Sequence, residues 1–210
     1  MSGRVISVKK GKKHLSEVLF ENGTSLMLDS EYCVEQGIFP DTFIDEEQEK
    51  EHKNNSDIKR AKSLAMWYLS RADHSEKALR DKLKRAGFNI GAVNTAINRM
   101  KELSLIDDEK LAFRLAPLLL SANNSPRQAV EKLVLKGISR DLAKLAVGET
   151  ENDPKEQIEN LLKGQYRNKL SNEKDIERTF NALIRRGFSF SDVKSVMRKI
   201  TSSLDDCEEF

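Results

Sequence analysis

The sequence is poor in the residues that carry most covalent and catalytic chemistry. Its two cysteines, Cys33 and Cys207, stand near opposite ends of 210 residues. Such a pair builds neither a disulfide framework nor a metal-ligand spacing, so both read as free thiols of a reducing compartment. The three histidines, His14, His52 and His74, are scattered without a second His or Cys at ligand spacing. No G-x-x-x-x-G-K-[ST] loop is present and no G-x-G-x-x-G follows a strand-like run, which removes the usual phosphate-cradling loops of nucleotide enzymes. Hydrophobic runs are short. The stretch Leu115 to Leu120 falls far below the roughly 20 apolar residues of a membrane-spanning helix. The basic start (Arg4, Lys9, Lys10, Lys12, Lys13) has no apolar segment behind it, so no secretory signal is expected. The expectation is a non-enzymatic cytoplasmic protein with no cofactor, no metal and no membrane association.

Charge is plentiful and segregated. The formal net charge is +2. Between Asp29 and Asp57, ten acids face only Lys50 and Lys53, a net of −8. From Arg60 to Lys101, ten bases face Asp73, Glu76 and Asp81, a net of +7, and from Lys163 to Lys199 ten bases face four acids, a net of +6. Blocks of this kind fit either solvated helix faces or a polyanionic partner.

Two short β-prone runs, "RVISV" and "SEVLFENGTSLML", open the chain, and Asn22-Gly23 inside the second is a hairpin signal, since both residues tolerate positive φ. A small antiparallel sheet is predicted there, then a helical piece around Tyr32 to Gln36 and a turn at Pro40. The acidic stretch "DEEQEKEHKNNSD" reads as a linker or a solvated helix. From Ile58 onward apolar residues recur at helical spacing, as in Ile58, Ala61, Leu64, Ala65, Tyr68, Leu69 and again in Val193, Val196, Met197, Ile200.

One shape recurs at an interval of fifty residues: "KLKRAGF" ending at Phe88, "KLVLKGI" at Ile138 and "ALIRRGF" at Phe188. If Gly87, Gly137 and Gly187 each end a helix in the left-handed conformation, the next residue folds back on the leucine five positions earlier: Phe88 on Leu83, Ile138 on Leu133, Phe188 on Leu183. The candidate N-caps keep the same register at Ser75, Ser125 and Asp175, with Pro126 suited to the first helical position. The predicted fold is therefore mostly α, with tandem three-helix repeats in an elongated array. The boundaries are a β-rich segment at 1–50 with an acidic linker to about 57, repeats at 58–106, 107–150 and 153–203, and an acidic tail at 204–210. Pro117 should kink or interrupt the helix from Asp108 to Leu120. Asp107-Asp108-Glu109 reads as the acidic first turn of that helix, with Asp107 as N-cap, rather than as a metal site.

The copies differ where Val130 with Val134 and Phe180 with Ile184 are replaced by Arg80 and Lys84 in the first. A terminal repeat is polar where it meets water, which explains the change structurally. The functional alternative is a basic strip of Lys77, Arg80 and Lys84, extended by Arg85, facing a phosphate backbone. Lys174, Arg178, Arg185 and Arg186 form a second candidate strip, and Lys136 marks the middle repeat. Trp67 lies off the apolar stripe of its helix, so it either packs on the N-terminal segment or meets a partner, for instance by base stacking.

In order and spacing, "SEKALRDKLKRAGF", "ELSLIDDEKLAFRLA", "AVEKLVLKGISRDLAK" and "NALIRRGFSFSDVKSVM" resemble the RecX family of regulators of the RecA recombinase. The resemblance covers about Arg60 to Ile200. It departs at "SANNSP", where a basic, glycine-containing turn is expected. It implies an array of three-helix units that acts as a monomer, lies along the groove of a RecA filament on DNA, inhibits ATP hydrolysis and strand exchange, and contacts DNA weakly. A rival reading is a DNA-binding protein of helix-turn-helix type acting by itself. Asn94 with Asn98 is the one pair in the post-glycine helices suited to reading base edges.

Overall fold

The protein is described here by a computed structural model covering residues 3–12, 14–170 and 172–205, with side chains to residue 200. Cys207 and residues 206–210 of the acidic tail lie outside the described residues. The chain divides into two compact units, Met1–Asp107 and Asp108–Phe210.

In the first unit, strands β1 (Gly3–Lys10), β2 (Leu15–Phe20), β3 (Ser25–Asp29) and β4 (Phe43–Ile44) form an antiparallel sheet in the order β3-β2-β1-β4. Alternation places Val18, Phe20, Leu26 and Leu28 on the covered face. In the β2–β3 loop Gly23 takes a φ of 81°, and Asn22 Oδ1 accepts from the Thr24 amide at 2.9 Å. Helix α1 (Ser30–Glu35) starts at Asp29, whose carboxylate accepts from the amides of Glu31 and Tyr32. Tyr32, Cys33 and Ile38 close the sheet's core. Burial raises the Cys33 thiol above its ordinary pKa, which keeps it protonated and unreactive at neutral pH.

Of the two readings of the acidic stretch, linker and solvated helix, the structure shows the helix. It is the first half of α2 (Glu46–Leu69), 24 residues long, and the border drawn at residue 57 falls inside that helix. A capping box starts it: Asp45 Oδ1 accepts from the Gln48 amide, and Gln48 Oε1 from the Asp45 amide. Glu46, Glu47 and Glu49 complement the positive end of the dipole. The early part of α2 serves the sheet. Ser56 Oγ accepts from the Asp29 amide at 2.7 Å, the Tyr32 hydroxyl pairs with His52 Nδ1 at 3.0 Å, and Lys59 Nζ reaches Glu35 at 2.7 Å and Glu31 at 3.0 Å. The later part presents Ala61 and Ala65, both fully buried, to α3 (Glu76–Arg85) and α4 (Ile90–Glu102), the other helices of the first repeat.

The second unit contains α5 (Asp108–Ser121), α6 (Pro126–Leu135) and α7 (Arg140–Gly148), followed by α8 (Pro154–Lys163), a short 3₁₀ turn (Arg167–Lys169), α9 (Glu173–Arg185) and α10 (Phe190–Asp205). The two helix triplets have separate cores. A buried hydrogen bond from Gln157 Nε2 to the Leu120 carbonyl at 2.6 Å joins them. Buried positions keep the fifty-residue register across all three repeats: Leu83, Leu133, Leu183; Val93, Ala143, Val193; Ala96, Ala146, Val196.

At the helix ends Gly87, Gly137 and Gly187 take φ values of 91°, 93° and 91°. The amides of Phe88, Ile138 and Phe188 donate to the carbonyls of Leu83, Leu133 and Leu183 at 3.4, 3.1 and 3.3 Å, and each glycine amide donates three residues back, the paired bonds of a Schellman turn. Ser75 and Ser125 cap α3 and α6. The third cap differs from the sequence register. Helix α9 begins three residues earlier than the repeat predicts, and Asn172, not Asp175, is its N-cap. The Asn172 side chain accepts from the Asp175 amide and donates to the Asp175 carboxylate, which moves Asp175 into the first turn. Pro117 does not interrupt α5. Burial of Leu111, Ala112, Ala116 and Leu120 along one side of that helix offsets the backbone hydrogen bond that proline forgoes. None of the described helices is long and apolar enough to cross a membrane.

Candidate binding surfaces

The cations singled out in the sequence separate into paired and unpaired groups. On α3, Lys77, Lys84 and Arg85 are exposed. Lys77 and Lys84 make no ion pair among the described residues, and Arg85 bonds only to the Asp81 carbonyl. Arg80 behaves differently. It is half-buried, with Nε on Glu76 at 2.9 Å and a terminal nitrogen on Asn94 Oδ1 at 2.5 Å. Lys101 Nζ meets the other Glu76 oxygen at 2.6 Å, so Glu76 ties the start of α3 to the end of α4. The hydrogen bond from Lys101, reinforced by Arg80, outweighs partial burial and holds the Glu76 carboxyl below the ordinary carboxylate range. Asn94 is thereby occupied within the repeat, which removes half of the pair that favoured base-edge reading.

In the second unit Lys136 is exposed at the C-cap of α6, and Lys174 is exposed at the start of α9. Arg178 is exposed and bonded to Asp175 at 3.1 Å. Arg185 and Arg186 share a pocket of about 220 Å³ with Arg127, Gln128, Glu131 and Lys132. Arg186 is anchored there: it donates to Gln165 Oε1 at 2.7 Å, lies 5.5 Å from the Tyr166 ring centre, and its carbonyl accepts from Ser125 Oγ at 2.5 Å. Sequence reading overlooked Arg127 and Lys132. Their counterparts fifty residues earlier, Lys77 and Lys82, were the available signal. The face expected to be apolar in the later copies is only partly covered: Val130 is buried, whereas Val134, Phe180 and Ile184 are half-buried.

An open cleft of about 1250 Å³ lies inside the first unit. One wall comes from the sheet and α1 with Lys10, His14, Val34, Ile38, Phe39 and Pro40; the other comes from Arg60, Leu64, Trp67, Ala86 and Phe88. Trp67 neither buries itself on the sheet nor stands alone. It is 48% exposed, carries the Arg71 guanidinium 4.2 Å from its ring centre, and meets Tyr68 edge-on at 5.1 Å. Among the described residues no group of three His, Cys, Asp or Glu side chains could hold a metal ion.

Tandem three-helix modules, each closed by a glycine turn and bearing exposed cations, define a helical-repeat fold. A family model described as the RecX first three-helix domain matches residues 61–100. The regulatory protein RecX of Clostridium perfringens strain SM101 is 28% identical over 96% of this chain and 98% of its own length. That of Streptococcus pneumoniae strain Hungary19A-6 is 27% identical over 93% of this chain and 76% of its own. Among solved structures, a crystal structure of regulatory protein RecX superposes with a TM-score of 0.63 at 20% identity, covering 92% of this chain and 98% of its own. RecX from Lactobacillus salivarius gives 0.57 at 23% identity over 68% of this chain and 96% of its own. The chain thus resembles, over nearly its whole length, proteins named regulatory protein RecX.

Proposed function

We propose that this protein is a non-enzymatic inhibitor of the RecA recombinase. It works in the cytoplasm as a monomer, binds along the groove of the RecA–DNA filament, and suppresses ATP hydrolysis and strand exchange. The observation that carries this reading is the similarity, over 96% of the chain, to a protein named as a regulatory protein. Exposed Lys77, Lys84 and Arg85 in the first unit, with Lys174 and Arg185 in the second, support it, because a RecA–DNA filament offers a long, repetitive, anionic track. Regulation here needs no bond-making groups: a module that bridges neighbouring protomers holds them in one state through its differential affinity for that state.

The test is ATP hydrolysis by preformed RecA filaments on single-stranded DNA, titrated with this protein at two salt concentrations beside an unrelated DNA-binding protein. Inhibition is expected well below one molecule per RecA protomer. Inhibition that needs DNA-saturating amounts and falls with salt in parallel with bare-DNA affinity, about 0.7 in log–log slope per neutralised phosphate, would overturn the reading in favour of simple competition for DNA.

A further inference from the structure

Strand β1 is paired along the whole of one edge and only part of the other. On the side away from β2, β4 pairs with Gly3 and Arg4, and Val5 bonds to the segment before β4, its amide donating to the Thr42 carbonyl and its carbonyl accepting from the Asp41 amide, each at 2.8 Å. There the pairing stops. Residues 39–42 form a turn closed from the Thr42 amide to the Phe39 carbonyl at 3.1 Å, with Asp41 at a φ of 71°, and Pro40 inside it has no amide to donate. On the β2 side the ladder runs on to Lys10: Ser7 faces Leu19, Lys9 faces Glu17, and the Gly11 amide donates to the Leu15 carbonyl. Alternation then turns the backbone groups of Val8 and Lys10 the other way. No described strand meets them there.

An open strand edge has one natural complement, an extended main chain. The cleft beside it supplies surfaces for that chain's side chains. Its lining includes Val8, Lys10 and Phe39 at the edge and Leu64, Trp67 and Phe88 from the first repeat, with Phe39 51% and Trp67 48% exposed. Most charges nearby are engaged with one another: Asp29 and Glu31 share Lys59, and Arg60 lies 3.3 Å from Asp57. Lys10 makes no ion pair among the described residues. A second copy of the chain is a poor occupant, because antiparallel pairing that uses Val8 and Lys10 of both chains sets Lys9 against its own counterpart.

We propose that this edge and cleft receive an extended segment of another protein by strand addition. Its main chain bonds to Val8 and Lys10, alternate apolar side chains lie on Leu64, Trp67 and Phe88, and a carboxylate meets Lys10. The site uses none of the basic faces on which the filament reading rests, so either can fail without the other.

The probe is a capped, labelled hexapeptide, Val-Thr-Val-Thr-Val-Glu, titrated into the full-length protein and followed by anisotropy and by the emission of Trp67, the only tryptophan in the chain. Two derivatives carry N-methyl groups on one or the other alternate set of amides. Strand addition requires that one derivative bind like the parent and the other lose binding, since only one set faces the edge. Lys10→Pro removes an amide directed away from β2 and should weaken the parent peptide at least about five-fold, the worth of one hydrogen bond; Lys10→Gln keeps that amide and should lose less. Circular dichroism should show the wild-type fold in both variants. Equal affinity of the two methylated peptides, or of Lys10→Pro and Lys10→Gln, overturns the proposal. So does the absence of saturable binding below about 1 mM, which would leave the lysines as a device that merely blunts the edge. Sedimentation that shows a dimer lost in Lys10→Pro would overturn it in favour of a second copy.

Discussion

Ser125 Oγ donates to the carbonyl of Arg186 at 2.5 Å while accepting from the amide of Gln128 at 3.2 Å. One fully buried hydroxyl thus caps α6 and satisfies the end of α9, sixty-one residues away. Ser125→Ala removes both bonds and leaves the Arg186 carbonyl without its partner. The expected loss is about 2 kcal/mol or more, against about 1 kcal/mol for an ordinary cap. Ser139→Ala, at the exposed cap of α7, is the comparison, and urea midpoints of the two variants should differ in that order.

The glycine turns predict a graded series. Gly87→Ala keeps open space and suffers only the left-handed backbone penalty, about 1–2 kcal/mol. Gly187→Ala adds a collision with Arg127 and should be the more damaging. At Gly148 the conformation is compatible with any L-residue and a β-carbon meets nothing within 4 Å, so Gly148→Ala should be neutral or stabilising by up to about 1 kcal/mol. Thermal midpoints that rank the three otherwise would contradict the assignment.

Glu76 gives the first repeat a pH dependence. Its carboxyl pKa is lowered in the folded state by Lys101 and Arg80. Its contribution is therefore complete above the unfolded carboxylate pKa and is lost as pH falls through the lowered value. Between pH 7 and pH 3 the wild type should lose more stability than Glu76→Gln, which has no proton to take up. Parallel falls in melting temperature for the two proteins would remove Glu76 from the account.

Charge reversal separates the α3 cations. Lys77→Glu with Lys84→Glu alters exposed, unpaired side chains, so stability should shift by less than about 0.5 kcal/mol while affinity for polyanions and for RecA filaments drops. Arg80→Ala should do the reverse, weakening the fold by releasing Glu76 and Asn94 with a smaller effect on binding. Chemical denaturation and filament co-sedimentation on the same samples provide both readings.

Much of the architecture is legible in the sequence because glycine alone takes a φ near 90° without strain, and the leucine five residues before each glycine's successor marks the fold-back. The same turn occurs twice more without glycine. Ser104 at a φ of 55° brings the Leu105 amide to the Met100 carbonyl, and Asn123 at 57° brings the Asn124 amide to Leu119. Serine takes the left-handed region only under tertiary constraint and leaves no mark in the sequence, whereas Asn123, a residue that tolerates it, was a signal that lacked the fifty-residue register. The acidic start of α2 was obscure for a related reason. Its stability comes from a capping box and polar ties of Ser56, His52 and Lys59 to the sheet segment, so no apolar stripe announces it. For the binding surfaces, the sequence located the cations but not their engagement. Whether Arg80 reaches solvent or Asn94 depends on a neighbouring helix, and the cleft beside Trp67 needs the sheet and the first repeat in place at once.

Helix α2 also carries a phase relation. Its sheet-facing residues, Ser56 and Lys59, and its repeat-facing residues, Ala61 and Ala65, lie on one unbroken spiral, so their angular offset is fixed by residue count alone. One alanine inserted between Lys59 and Arg60 would turn the two sets about 100° out of alignment, whereas seven inserted residues, two turns, would bring them back to within about 20°. The single insertion should uncouple the sheet from the first repeat, and the longer one should restore the rotational match at a greater spacing. In this protein the distance between two folding bodies is negotiable, but their rotation is quantised by the helix they share.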